Sequence, residues 1–391
     1  MKVVGIIAEY NPFHNGHKLQ LDYARSILKA DYIIVAMSGS FTQRGTVACC
    51  DKYTRAKCAL INGADLVLEI PAIFATASAA EYAACGISLL NSLGIVDTLL
   101  FGCENDGIGN FIENAKTIIS LEGTDEYENT IKEHVTKGLS YASARQLALA
   151  DRVDEEFITT PNNILGMEYT KYVLKNNIPM ELACLKRHGS SYNSKTLTGI
   201  ISSATSIREA MLTSRDYSQA LPTNVFELLK DCPLINEDSV SVLLHHKLLS
   251  ETDFEIYLDC TPDLSNKINK LKSEYVTMSD FCIKLKSKDL SYTRISRVMC
   301  HILLGITQEA FEAEKEAGYV RYIRLLGFTK NGSSLLSTIK EKSSLPIMTA
   351  PTEDISEYDL ISSDLLRILQ TSKTGTALPN EYTRKFDLGG I

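Results

Sequence analysis

Two histidines, His14 and His17, close the stretch GIIAEYNPFHNGH, where an apolar run stops at Asn11 and Pro12. Imidazoles three positions apart at a helix start share one side of its first turn. Three chemistries suit such a pair: binding a metal, capping the helix, or donating two N–H groups to phosphate oxygens. Zinc needs a third ligand, usually through HExxH or paired cysteines. The other histidines, His134, His188, His245, His246 and His301, are not in ligand spacing with these two. Phosphate asks for less, because a helix N-terminus already offers free N–H groups and the favourable end of the dipole. Gly16, between the histidines, lets a base or ribose approach the backbone without a Cβ in the way. Phosphate is therefore the favoured ligand.

Such a pair needs a rigid edge to stand on. Val3 to Ala8 reads as a strand buried on both faces, and helical spacing follows from about His17 to Lys29. YIIVAMSG from Tyr32, ADLVLEIP ending at Pro71 and VDTLLFG from Val96 read as further strands. Helices are expected over Asp51 to Ile61 and Ala75 to Leu93, the second rich in small residues. This alternation predicts right-handed βαβ units, an α/β fold with a Rossmann-like doubly wound parallel sheet. MELACLKR from Met180 reads as a fifth strand, and SATSIREAM opens another helix. Ligands of such sheets bind at the carboxyl ends of the strands, where the two histidines fall. The dinucleotide fingerprint GxGxxG and the P-loop GxxxxGK[ST] are both missing.

The chain has 391 residues, long enough for two or three domains. No apolar stretch reaches membrane-spanning length, and Val3 to Ala8 is short for a signal peptide, so a cytoplasmic protein is expected. Ten scattered cysteines without a CxxC pair suit reduced, buried thiols. Net charge is −8, which disfavours broad attraction to nucleic acid but leaves local basic patches open. Between Leu182 and Arg208 there is no acid, whereas Lys186, Arg187, Lys195 and Arg208 are basic. Lys284, Lys286, Lys288, Arg294 and Arg297 face one acid, Asp289. From about Leu221 the pattern is mainly helical. The expected division is therefore a nucleotide-binding domain over 1–215 and a mainly helical domain over 216–391.

NPFHNGH resembles the HxGH signature of the nucleotidyltransferase superfamily, and ISSATSIR, Ile201 to Arg208, resembles its second motif. Two departures are visible: the opening is AEYNP rather than glycine-rich, and no KMSKS-type lysine occurs. SGSFTQRG, DKYTRAKCALINGADLVLEIP, PNNILGMEY, RISRVMCHILLGIT and YIRLLGF narrow the likeness to the bacterial tRNA(Met) cytidine acetate ligase family. That resemblance implies that ATP and acetate form acetyl-adenylate. The acetyl group then passes to the exocyclic amine of the wobble cytidine in elongator tRNA(Met).

The resemblance implies ATP contacts from Ile7, Ala8, Glu9, Tyr10, Asn11, Pro12 and Phe13, and from His14, Asn15, Gly16, His17, Lys18, Leu19 and Gln20. It adds Gly102, Asn162 and Arg187, with Ser203 in the second motif. His14, His17 and Arg208 are expected to donate to the oxygens on which charge accumulates. Magnesium is expected with ATP, its protein ligands unknown. Gln43 and Arg44 are open to either ATP or RNA. Tyr292 with Lys284, Lys286, Arg294 and Arg297 makes a candidate RNA surface. No membrane and no protein partner are implied. The alternatives are a small-molecule adenylyltransferase that never touches RNA and a noncatalytic nucleotide-binding protein. The large helical half disfavours the first, and retention of both histidines disfavours the second.

Overall fold

The structure, a computed structural model, describes residues 1–105, 107–187, 197 and 199–384, without the side chain of residue 142. His188 and Lys195 lie outside the described residues. Seven strands form one sheet: β1 (Val3–Ala8), β2 (Tyr32–Ser38), β3 (Leu66–Ile70), β4 (Thr98–Cys103), β5 (Glu181–Lys186), β6 (Ile323–Phe328) and β7 (Ile347–Met348). Their order is β5-β4-β1-β2-β3-β6-β7. The first five are mutually parallel, as the alternation of strand and helix predicts. The helices that bear on the site are α1 (Asn15–Ser26), α2 (Lys52–Leu60), α3 (Ala79–Ser92), α4 (Pro161–Lys175), α5 (Ala204–Leu212) and α6 (Tyr292–Leu304).

β1 is central, between β4 and β2, and its side chains feed two cores. Val3 and Ile7 belong to one, Val4 and Ile6 to the other. That is why its sequence is a continuous apolar run rather than an alternating one. On one face α3 lies close, because its small residues allow it. A Cβ on Gly86 would stand 2.7 Å from Ile7 Cδ1.

The second half of the chain is mainly helical, but it also returns to the sheet. β6 runs antiparallel beside β3, and β7 pairs parallel with β6. YIRLLGF contains this strand, yet no helical crossover of βαβ type announces it in the sequence. A single apolar cluster continues from Val3 and Leu66 through Leu244 and Phe281 to Leu366. The helices after residue 215 therefore share a core with the sheet. Eight of the ten cysteines are buried and the other two half-buried, all as thiols. No helix among the described residues is long and apolar enough to cross a membrane.

Candidate active site

The strand stops where its backbone is forced to turn. Tyr10 takes a φ of 47°, a left-handed conformation uncommon outside glycine, and the Asn11–Pro12 peptide is cis. Neighbouring elements hold this turn by hydrogen bonds. Asn11 Oδ1 accepts the Cys49 N–H at 2.7 Å. The Arg55 guanidinium, buried on α2, donates to the carbonyls of Glu9 (2.7 Å), Ser38 (3.0 Å), Cys50 (3.1 Å) and Gly39. Arg208, on α5, donates to the Asn11 carbonyl at 2.6 Å. Two buried or half-buried arginines thus fix the loop that carries the histidines.

His14 is the N-cap of α1, and the capping and phosphate readings turn out to share one geometry. Its Nδ1 accepts the Gly16 N–H at 3.1 Å, while His17 Nδ1 accepts the His14 N–H at 3.2 Å. A ring nitrogen that accepts cannot carry the proton, so each neutral ring keeps its proton on Nε2. The rings stack with centroids 3.6 Å apart and planes 18° apart. Burial, with Arg187 and Arg208 nearby, pulls the His14 pKa down to about 3. Burial, followed by His14 and Arg187, holds His17 well below the usual histidine value. The pair is therefore neutral at physiological pH, with one Nε2–H donor remaining on each ring. Gly16, which lines the cleft, also has little room for a side chain. A Cβ would come within 2.9 Å of the His14 ring.

Both rings line a cleft at the carboxyl ends of β1 and β4. Ile7, Ala8, Glu9, Tyr10, Asn11, Gly16, Leu19, Gln20, Gly102, Asn162 and Arg187 line it with them. Arg187 Nη1 donates to Asn162 Oδ1 at 3.1 Å, and a Cβ on Gly102 would meet the Arg187 side chain at 3.5 Å. The Glu104 carboxylate caps α4, accepting the N–H groups of Asn162 (3.3 Å) and Asn163 (2.9 Å).

Other expected contacts are placed elsewhere. Pro12, Phe13, Asn15, Lys18, Ser203 and Arg208 do not line the cleft. Phe13 is buried against Tyr10, ring centroids 4.9 Å apart. Asn15 Nδ2 donates to the carbonyls of Ile200 (2.9 Å) and Gln219 (2.8 Å), tying α1 to the chain on either side of α5. Lys18 pairs with Asp22, one turn on. Ser203 Oγ accepts the Ser206 N–H at 3.1 Å and caps α5. Arg208 reaches the Asn11 carbonyl, so in this structure it supports the loop, and its charge is still felt by His14 at the cleft.

An aromatic wall was missed. Tyr82 from α3, Phe101 from β4 and Tyr169 from α4 line one side, with Leu165 and Gln43 beside them. All three aromatics are at most 4% exposed and sit at positions with core periodicity, so no sequence signal sets them apart.

The candidate RNA surface is only partly a surface. Lys286 is exposed, and Lys284 pairs with Asp280 at 3.2 Å. Tyr292 turns inward and donates to Glu237 at 3.1 Å, so it presents no stacking tip. Arg297 is 14% exposed with Asp259 4.0 Å away, and its Nε has no hydrogen-bond partner among the described residues. Its backbone, with that of Ser296, packs on Gly45 of the SGSFTQRG loop, whose carbonyl accepts Ser296 Oγ at 3.2 Å.

A family model described as HIGH Nucleotidyl Transferase matches residues 1–384. A tRNA(Met) cytidine acetate ligase of Thermosipho melanesiensis is 38% identical over 90% of this chain and 85% of its own. That of Clostridium kluyveri is 36% identical over 94% and 93%. A crystal structure of Thermotoga maritima TmcAL bound with alpha-thio ATP superposes with a TM-score of 0.84, at 31% identity and 95% of each chain. Its apo form gives 0.86, covering 100% of this chain and 98% of that one. With the HxGH histidines capping α1 at the edge of this sheet, the chain belongs to the HIGH nucleotidyl transferases, in the tRNA(Met) cytidine acetate ligase family.

Proposed function

We propose that this protein activates acetate with ATP and transfers the acetyl group to the exocyclic amine of the wobble cytidine in elongator tRNA(Met). The observation that carries the proposal is the neutral histidine pair, its tautomers set by two backbone N–H groups at the start of α1. Acetate attacks the α-phosphorus of ATP, and pyrophosphate leaves in line with the attack. Negative charge grows on the phosphate oxygens as it leaves. Two preorganised N–H donors and a helix N-terminus stabilise that charge without rearranging. Each such donor is worth about 2.7–4 kcal/mol in mutational series. Arg187, held by Asn162, supplies a permanent cation at the same cleft. The acetyl-adenylate is already activated, so the second step needs the amine held close and its proton removed.

Among the described residues no three His, Cys, Asp or Glu side chains gather to hold a metal. Magnesium arriving with ATP is held mainly by the phosphates and water, with at most one or two carboxylates, and no step here passes through it. A tRNA substrate places the reaction in the cytoplasm. Acetate-dependent exchange of pyrophosphate into ATP, followed by labelled acetate entering tRNA(Met), tests the reading. Exchange without acetylation of any tRNA would point instead to a small-molecule acceptor.

A further inference from the structure

Glu9 is the one carboxylate among the described residues that line the cleft. Both substrates of the first step are anions. A carboxylate close to another anion is repelled by it, more strongly at a protein surface than in bulk water. Glu9 therefore opposes ATP and acetate, and a group that accepts hydrogen bonds must serve something that donates them. The adenine amine and ribose hydroxyls of ATP also donate hydrogen bonds, but the group that must lose a proton in the proposed reaction is the cytidine amine.

The placement of Glu9 agrees with that chemistry. It follows the last residue of β1, and its Oε1 accepts the Gln43 N–H at 3.0 Å. Gln43 Nε2 is in turn held by the Ala77 carbonyl at 3.1 Å. Gly45 of the same loop rests on the backbone of α6, in the helical half of the chain. One carboxylate oxygen is thus committed to the loop. The other, Oε2, has no partner among the described residues, and the carboxylate stands near enough to Tyr82 to act on its phenol. The carboxylate sits where the ATP cleft meets the loop that joins it to the helical half.

We propose that Glu9 is a catalytic residue of the second step, accepting the proton of the cytidine exocyclic amine as that amine attacks the acetyl-adenylate. This rests on the acetate-ligase reading. The amine nitrogen forms a bond to the acetyl carbon, and the bond from that carbon to the AMP phosphate oxygen breaks. The electron pair leaves with AMP, and the surplus proton passes to Glu9 Oε2 and on to water. General bases of this kind contribute about 10²–10⁴-fold.

The test separates the two half-reactions in the full-length protein. The first is read as acetate-dependent ATP–pyrophosphate exchange, the second as transfer from preformed acetyl-adenylate to a tRNA(Met) transcript. Glu9→Gln keeps an oxygen for the Gln43 N–H but removes the base. It should lower transfer about 10²-fold while exchange falls less than about ten-fold. Hydroxylamine, a nucleophile that needs no base, should discharge the adenylate on Glu9→Gln at close to the wild-type rate. Glu9→Asp should recover part of the transfer. Equal losses in both half-reactions would overturn the proposal and put Glu9 with ATP or its metal. Unchanged transfer would overturn it too, leaving Glu9 as a loop fastener. Wild-type protein that shows no acetate-dependent exchange would overturn the acetate-ligase reading itself, and this step with it.

Discussion

Two clusters of buried polar groups stand at carboxyl ends of parallel strands, one beyond β1 and one on β3, and they are put to opposite uses. On β3, Glu69 holds Lys52 Nζ at 2.8 and 2.7 Å, and Glu381 lies 3.3 Å from the same nitrogen. Arg324 reaches Glu381 at 3.0 Å and the Tyr53 hydroxyl at 3.1 Å. Burial pulls the Lys52 pKa down, but Glu69 and Glu381 outweigh it and leave the ammonium above the usual lysine value. Gly39 has no room for a side chain, since a Cβ would sit 2.3 Å from Glu69 Oε1. Opposite charges answer one another there and close the cluster electrostatically, although Arg324 Nε and Nη1 find no hydrogen-bond partner among the described residues. Beyond β1 the two histidines are neutral, and each spends one nitrogen on the backbone and keeps the other in the cleft. A strand end becomes a site when fixed, neutral donors line a cleft. Where every charge is matched, the same position is a fastener.

The sharpest way to break this contrast is to unbalance the closed cluster. Lys52→Ala leaves Glu69 and Glu381 buried with one cation between them. Breaking a buried pair from one side costs about 3–5 kcal/mol. The urea midpoint should fall accordingly, while the protein that remains folded keeps its exchange activity. Normal stability with lost exchange would move this cluster into the active site.

Removing a leftover donor should do the reverse. His14→Ala or His17→Ala should slow acetate-dependent exchange by about 10²–10³-fold, the worth of one preorganised donor. His14 also caps α1, so its loss carries in addition about 1 kcal/mol of stability. His17→Ala removes only the acceptor for one N–H, and its stability should move less. A folded His17→Ala protein with unchanged exchange would remove the histidines from the chemistry.

Acidity should distinguish the histidine cluster by sign. His14 titrates near 3 when folded and near 6.5 when unfolded. Between those values the unfolded chain binds a proton that the folded one refuses, so stability falls as pH drops below 6.5. The slope is about 1.4 kcal/mol per pH unit, or roughly 2 kcal/mol between pH 6.5 and 5. His14→Gln should lose that part of the acid sensitivity. Urea midpoints of both proteins at pH 7 and pH 5 measure the difference.

The open cluster was far more legible in the sequence than the closed one. β1, its loop and α1 are contiguous, so periodicity, the stop at Asn11 and Pro12, and the histidine spacing all read locally. The histidines' tautomers were not legible, because they depend on which backbone N–H each ring meets. Lys52, Glu69, Arg324 and Glu381 come from four separated segments, and nothing local marks them as one network. The same holds for β6, an antiparallel partner arriving more than 250 residues after β3. Arg55 was hidden for a related reason. A basic residue early in a helix reads as solvated until the four carbonyls converging on it are seen.

The smallest effect is expected at the RNA surface, where the structure divides residues that spacing had grouped. Arg297 is inward, beside Asp259 and against the Gly45 loop, so replacing it tests packing more than phosphate contact. Lys286 is exposed and Arg294 half-exposed, and these remain the candidates for phosphate contact. Each cation on a single-strand phosphate contributes roughly −0.7 to the log–log salt slope of binding. Lys286→Ala and Arg294→Ala should each make the slope for tRNA(Met) shallower by about that amount, with binding at physiological salt weakened less than about ten-fold. Acetate-dependent exchange needs no RNA and should continue in both. Arg297→Ala should instead lower the urea midpoint and leave the salt slope alone. A shallower slope at Arg297 with full stability would reverse the division and return that side chain to the RNA.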